Sequence, residues 1–163
     1  MSCVLLPLQK MIEADVLFRS PLMSMLSFLS QTKTMPERVH LLYSTKGTAS
    51  KRPESVLDEV LFAQRLREIA SQHGVSQVQV DFYFTNGQDS SNAQESLPDS
   101  SNVSIKNGRI KKADIEEALG DVEQRRQAVC YVCGPKGMTD ELVATISGMQ
   151  GMQQDQVLCE KWW

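Results

Sequence analysis

Residues 128–138 read Ala128-Val129-Cys130-Tyr131-Val132-Cys133-Gly134-Pro135-Lys136-Gly137-Met138. The first six form the most buried-looking run in the chain, short and rich in strand-favouring types. Gly134-Pro135 then ends the strand, and the fixed φ of Pro135 suits entry into a helix. Along that helix Met138, Leu142, Ile146 and Met149 fall on the inward side.

The same alternation extends in both directions. Towards the carboxyl end, Gln156-Val157-Leu158-Cys159 reads as a last strand before a Glu-Lys-Trp-Trp tail. Upstream, Ser20 as N-cap and Pro21 at the first helical position open a helix with Leu22, Met25, Leu26 and Leu29 on one stripe. VHLLYS (39–44) reads as a strand, and Thr45 to Arg52 as a basic loop. Pro53 opens a long helix carrying Val56, Leu57, Val60, Leu61, Ile69 and Ala70, which stops near His73-Gly74 with glycine suited to a left-handed end. VQVDFYFT (78–85) alternates as a strand. Asn86 to Gly108, mostly Ser, Asn, Gln and Asp, reads as a long surface loop, and a short helix with Ile115, Ala118 and Leu119 on one side follows.

Apolar strands separated by helices predict an α/β domain: a doubly wound, mostly parallel sheet covered on both faces. Such a sheet needs a strand before the helix at 21–30. Only Ala14-Asp15-Val16-Leu17-Phe18 offers one, so a short or irregular first strand is expected.

Bulk properties narrow the function. The 163 residues amount to one domain, 41% apolar and 23% charged. A net charge of -3 and a pI of about 5.4 supply no basic field for nucleic acid. No segment is long and apolar enough to span a bilayer. Four cysteines are too few and scattered for a disulfide framework, which favours a reducing compartment. Val4 to Leu8 is a short apolar run broken by Pro7, with no positive region before it. Lys10 and Arg19, opposed by Glu13 and Asp15, make a poor mitochondrial presequence. Cytoplasm or mitochondrion are the compartments left open.

In doubly wound folds ligands bind beyond the carboxyl ends of the strands, and there the chain resembles a known family. Cys133-Gly134-Pro135-Lys136-Gly137-Met138 matches the Cys-Gly-Pro-x-x-Met motif of the ferredoxin–NADP reductase superfamily, which includes cytochrome b5 reductase. Pro21-Leu22-Met23-Ser24-Met25-Leu26 looks like the first helix of that superfamily's nucleotide domain. Leu42-Tyr43-Ser44-Thr45-Lys46 looks like its second strand and turn, and Asn107-Gly108-Arg109-Ile110 like its late loop. The ending Cys159-Glu160-Lys161-Trp162-Trp163 is most similar to the oxidoreductase NAD-binding domain-containing branch. The resemblance covers residues 20–163 and leaves 1–19 as an atypical segment.

The resemblance implies an NAD(P)H-binding domain of Rossmann-like type that passes hydride from nicotinamide to FAD. Cys133 and Trp163 would flank the slot where two flat rings meet, and these are the expected catalytic positions. Ser20, Pro21, Ser44, Lys46, Gly134, Pro135 and Met138 are the expected cofactor-binding positions. A rival for Cys130 and Cys133 is a metal or redox CxxC. Strand alternation sends them to opposite faces, so core packing is preferred for Cys130 and no metal site is expected. The loop holding Ser44, Lys46, Lys51 and Arg52 has no acidic residue, which tolerates the extra phosphate of NADP. A simple solvated basic loop explains it equally well. Trp162 and Trp163 could instead pack on the last helix, and His40 and His73 read as structural or exposed.

Two departures from the family stand out. The turn Phe18-Arg19-Ser20-Pro21 has no glycine to let backbone N–H groups cradle a pyrophosphate, although Arg19 and the Ser20 hydroxyl could compensate in part. The flavin-binding barrel with its Arg-x-Tyr-Ser/Thr motif is missing; Leu41 stands where the arginine would precede Tyr43-Ser44. No FAD site is therefore expected in this chain. A truncated or spliced product, depending on a flavin-binding domain or chain elsewhere, is implied. The alternative is a nucleotide-binding or interaction module without turnover.

Overall fold

The computed structural model describes residues 2–7, 21–32, 35–46, 60–85, 95–96 and 102–160. Within them the chain is an α/β protein built on one seven-stranded sheet. The strands are β1 (Ser2–Pro7), β2 (Val39–Lys46), β3 (Val78–Thr85), β4 (Glu95–Ser96), β5 (Val103–Asn107), β6 (Ala128–Cys133) and β7 (Val157–Cys159). The helices are α1 (Pro21–Gln31), α2 (Ala63–Gln72), α3 (Lys112–Leu119), α4 (Val122–Gln127) and α5 (Lys136–Ser147).

The strand order is β4-β5-β3-β2-β1-β6-β7. β5, β3 and β2 are mutually parallel, as are β6 and β7, and β1 runs antiparallel to both β2 and β6. Five strands therefore point one way, and β1 and β4 the other. The sheet is more mixed than the sequence predicts.

Strand alternation builds two cores. Val39, Leu41, Tyr43, Val80, Phe82, Phe84, Val103 and Ile105 meet Leu22 and Leu26 of α1 and Leu66 and Ile69 of α2 on one face. On the other face Leu42, Tyr83, Cys130 and Val132 meet Ile115 and Leu119 of α3 and Leu142 and Ile146 of α5. The expected inward stripe Met138, Leu142, Ile146 and Met149 is the one that packs there.

Several sequence expectations need correction. The sheet position between β2 and β6 is filled by Ser2–Pro7, where the sequence predicts no strand; the candidate strand 14–18 lies outside the described residues. The surface loop expected over 86–108 contains β4 and β5. Its polar composition hid β5 because Ser104 and Lys106 face polar partners across the sheet, whereas Val103 and Ile105 face the core. The long helix expected from Pro53 begins, within the described residues, only at Ala63. Phe62 holds a left-handed φ of 68° that interrupts the helix, and Leu61 is 68% exposed. Gly74 is not left-handed; His73 closes α2 in extended conformation. Gln156 belongs to a 3-10 turn, not to β7.

Candidate functional site

β2, β3, β5, β6 and β7 all end on one side of the sheet, and there the strand order switches. From β2 the chain builds outward through β3 to β5, and then crosses to β6 and β7 on the other flank. Such a reversal leaves a crevice between the diverging connections. β1 lies between the two flanks, and Ser2 is in register with Tyr43 on one side and Cys133 on the other. Two strand spacings separate Tyr43 from Cys133, roughly 10 Å.

α1 begins at this same end. The Ser30 hydroxyl at its far end meets the Gln72 side chain and the His73 ring at 3.4 Å, where α2 closes before β3 starts. α1 therefore runs against the parallel strands, and Pro21 stands at their carboxyl ends. Pro7 pairs with Ala128 at the opposite end of the sheet. Among the described residues, the end of β1 and the start of α1 therefore stand at opposite ends of the sheet.

Cys133 ends β6 half-buried against the first core, with Tyr131 on the same face, whereas Cys130 and Cys159 belong to the second. Cys130, Cys133 and Cys159 are free thiols. Alternation has separated the two CxxC sulfurs, and among the described residues no cluster of His, Cys, Asp or Glu could hold a metal. Burial pushes the Cys133 thiol up, and the Glu160 carboxylate adds to the effect, so the thiol stays protonated. Burial likewise raises Tyr131, and hydrogen bonding to Glu160 raises it further. Glu160 itself continues the β7 edge, its N–H donating to the Val132 carbonyl at 3.3 Å. Its Oε2 is buried and has no hydrogen-bond partner among the described residues.

The Gly134 carbonyl accepts from the buried Thr139 hydroxyl at 3.0 Å, and the Pro135 carbonyl accepts from the Thr139 N–H at 2.9 Å. Together these bonds fix the β6–α5 turn. Pro135 is exposed, in the N-cap position, and Met138 packs half-buried on the second core. Ser44 is half-buried near the end of β2, and Lys46 closes that strand, exposed. Pro21 is the first residue of α1. Ser20, Trp163, Trp162, Arg19, Lys51 and Arg52 lie outside the described residues, so the expected Cys133–Trp163 slot does too.

Sequence reasoning missed a second polar cluster. His40 and Asp81, 3% and 1% exposed, meet through Nε2 and Oδ2 at 2.9 Å. The Ser104 hydroxyl donates to Asp81 Oδ1 at 2.7 Å. The Lys106 ammonium donates to Asp81 Oδ2 at 3.1 Å and to the Tyr83 hydroxyl at 3.2 Å. Burial disfavours the Asp81 charge, but His40, Ser104 and Lys106 outweigh it and hold the carboxyl down at about 2. The signal was available: an aspartate in the middle of an apolar strand requires a partner. His73, expected to be structural or exposed, is half-buried and meets Gln77 at 3.2 Å as well as Ser30.

No protein-family model matches the chain, and neither does any curated protein or solved structure. Among the described residues no helix is long and apolar enough to cross a membrane.

Proposed function

We propose that the chain is a Rossmann-like, doubly wound NAD(P)H-binding domain of a flavin-dependent oxidoreductase, working in the cytoplasm or mitochondrion. The observation that carries the proposal is the Cys133-Gly134-Pro135 turn at the carboxyl end of β6, beside the switch in strand order. A dinucleotide would lie along the strand ends, with its nicotinamide over Cys133 and its adenosine ribose near Ser44 and Lys46. Were NAD(P)H bound there, it would supply the hydride that a flavin held by another segment or chain would accept.

The residues present suit the nicotinamide end. A protonated, half-buried thiol borders a flat ring without competing for its charge. Gly134 and Pro135 keep the turn low, Met138 backs it, and Trp163 would supply a stacking ring. Ser20 and Pro21 would border the pyrophosphate. Lys46, exposed where an acidic residue would select NAD, favours the extra phosphate of NADP.

The residues present do not suit FAD. Tyr43, which would have to present itself to a flavin, is buried in the first core, tilted against Phe82 at 5.7 Å between ring centroids. No flavin step is assigned to this chain.

A second reading, a module that kept the fold without turnover, is favoured by the antiparallel β1 and by the lack of a glycine turn into α1. Titrating NADH and NADPH into the purified chain, followed by cofactor fluorescence, separates the two. Saturable binding, with turnover only when a flavin domain and an acceptor are added, supports the reductase domain. No binding at millimolar cofactor overturns it and leaves the interaction module.

A further inference from the structure

On the first face β2, β3 and β5 present mainly apolar side chains, Val39, Leu41 and Tyr43; Val78, Val80, Phe82 and Phe84; Val103 and Ile105, with Thr45 and Asn107 only at the strand ends. Sliding one of these strands by two residues would still set apolar groups against apolar groups. An apolar period of two excludes a slip by one residue, which would reverse the faces, but not a slip by two. The second face is different. It carries His40 on β2, Asp81 and Tyr83 on β3, and Ser104 and Lys106 on β5.

We infer that this cluster is the register key of the sheet: Asp81 fixes β3 against β2 and β5, and Lys106 locks that register to α3. The present pairing sets Asp81 beside Leu42 and Ser104, and Tyr83 beside Ser44 and Lys106. In this alignment the carboxylate takes His40, Ser104 and Lys106 together. A slip by two against β5 sets Asp81 opposite Lys106 or Asn102 and moves it off Ser104, leaving buried polar groups without their partners. Lys106 Nζ also lies 3.9 Å from Asp114 and 4.0 Å from Glu117 of α3, so the helix is placed by the same ammonium. Buried ion pairs commonly stabilise no better than apolar replacements of equal volume, and register is the best-attested reason to keep one. The level of the strand ends, Lys46, Thr85 and Asn107, follows from this register.

The test replaces the cluster with apolar groups in the full chain: His40→Leu, Asp81→Leu and Lys106→Met together. The expected outcome is a urea midpoint equal to or above that of the unmodified chain, with loss of uniqueness. Amides of β2, β3 and β5 should give several peaks each in the nitrogen–proton spectrum, and should exchange about tenfold faster or more. A compact state with native-like far-ultraviolet dichroism but collapsed peak dispersion would also support the inference. One peak per residue with unaltered exchange overturns it. Complete unfolding overturns it as well, because the cluster would then be holding the fold by energy rather than by alignment. Asp81→Asn serves as the internal control: with the carboxylate's charge removed but its volume kept, the urea midpoint should fall while each amide still gives one peak. A midpoint left unchanged by this substitution would count against the assignment.

Discussion

Tyr43 and Cys133 share one register partner: each lies opposite Ser2, from either side of β1, at the end of the sheet where the parallel strands stop. Tyr43 is thus close to the proposed nicotinamide thiol, yet it is turned into the core. Of the two, only Cys133 is left to face a ligand.

Cys133→Ser should leave NAD(P)H affinity within about twofold and slow hydride transfer to a supplied flavin domain by about tenfold or more. A large loss of binding would contradict the role of a bordering group. Because burial and Glu160 both raise the thiol, its alkylation by iodoacetamide should be slow at neutral pH. The rate should climb only above the range of an ordinary thiol.

Lys46→Glu should move cofactor preference from NADPH towards NADH. A carboxylate at the exposed end of β2 repels a ribose phosphate and accepts from a ribose hydroxyl. Parallel titrations with the two cofactors measure it; an unchanged ratio of dissociation constants would remove Lys46 from the site.

Asp81 should make stability acid-sensitive in a defined window. Its carboxyl is held at about 2 in the folded chain, against about 3.9 when unfolded. Above the unfolded value both states are charged and the contribution, on the order of 2–3 kcal/mol, is fully present. As pH falls towards about 2 the unfolded chain binds the proton first and that contribution is lost. Urea unfolding at pH 6 and pH 2.5 should show the loss in the unmodified chain, and a flatter response in Asp81→Asn. At pH 6 that variant should be less stable by about 3 kcal/mol, because His40 and Lys106 lose their buried anionic partner.

Gln156, 2% exposed, donates from its side-chain amide to the carbonyls of Arg125, Arg126 and Ala128 at 3.0, 3.0 and 2.7 Å. Its Oε1 accepts from the Gln153 N–H at 2.6 Å. It closes the end of α4 and sets the start of β6 against β7. Gln156→Ala should lower the unfolding free energy by about 1–3 kcal/mol. Gln156→Glu should be worse, since a carboxylate would confront three carbonyl oxygens. Denaturant melts of the two variants give the order, and the reverse order would show that the side chain acts by volume alone.

The α/β class and the elements with strong patterns were legible before any coordinates. β3 spans the predicted residues 78–85, and β6 spans 128–133. α1 begins at Pro21, and α5 turns its predicted apolar stripe inward. These elements follow from local chemistry: side-chain periodicity, proline at helix starts, and glycine-proline where a strand must end. The same periodicity separated Cys130 from Cys133.

Tertiary structure alone decided what periodicity does not encode. That Ser2–Pro7 would enter the middle of the sheet, and enter it antiparallel, depends on a gap between β2 and β6 contributed by residues far away in sequence. A polar-looking β5 is stable only because Ser104 and Lys106 find Asp81 across the sheet. Likewise Glu160 becomes an unsatisfied buried acceptor beside Cys133 only once β7 is laid against β6. Backbone preference and apolar spacing act over a few residues and so can be read along a chain, whereas the partners of buried polar groups are set by the packing of distant segments.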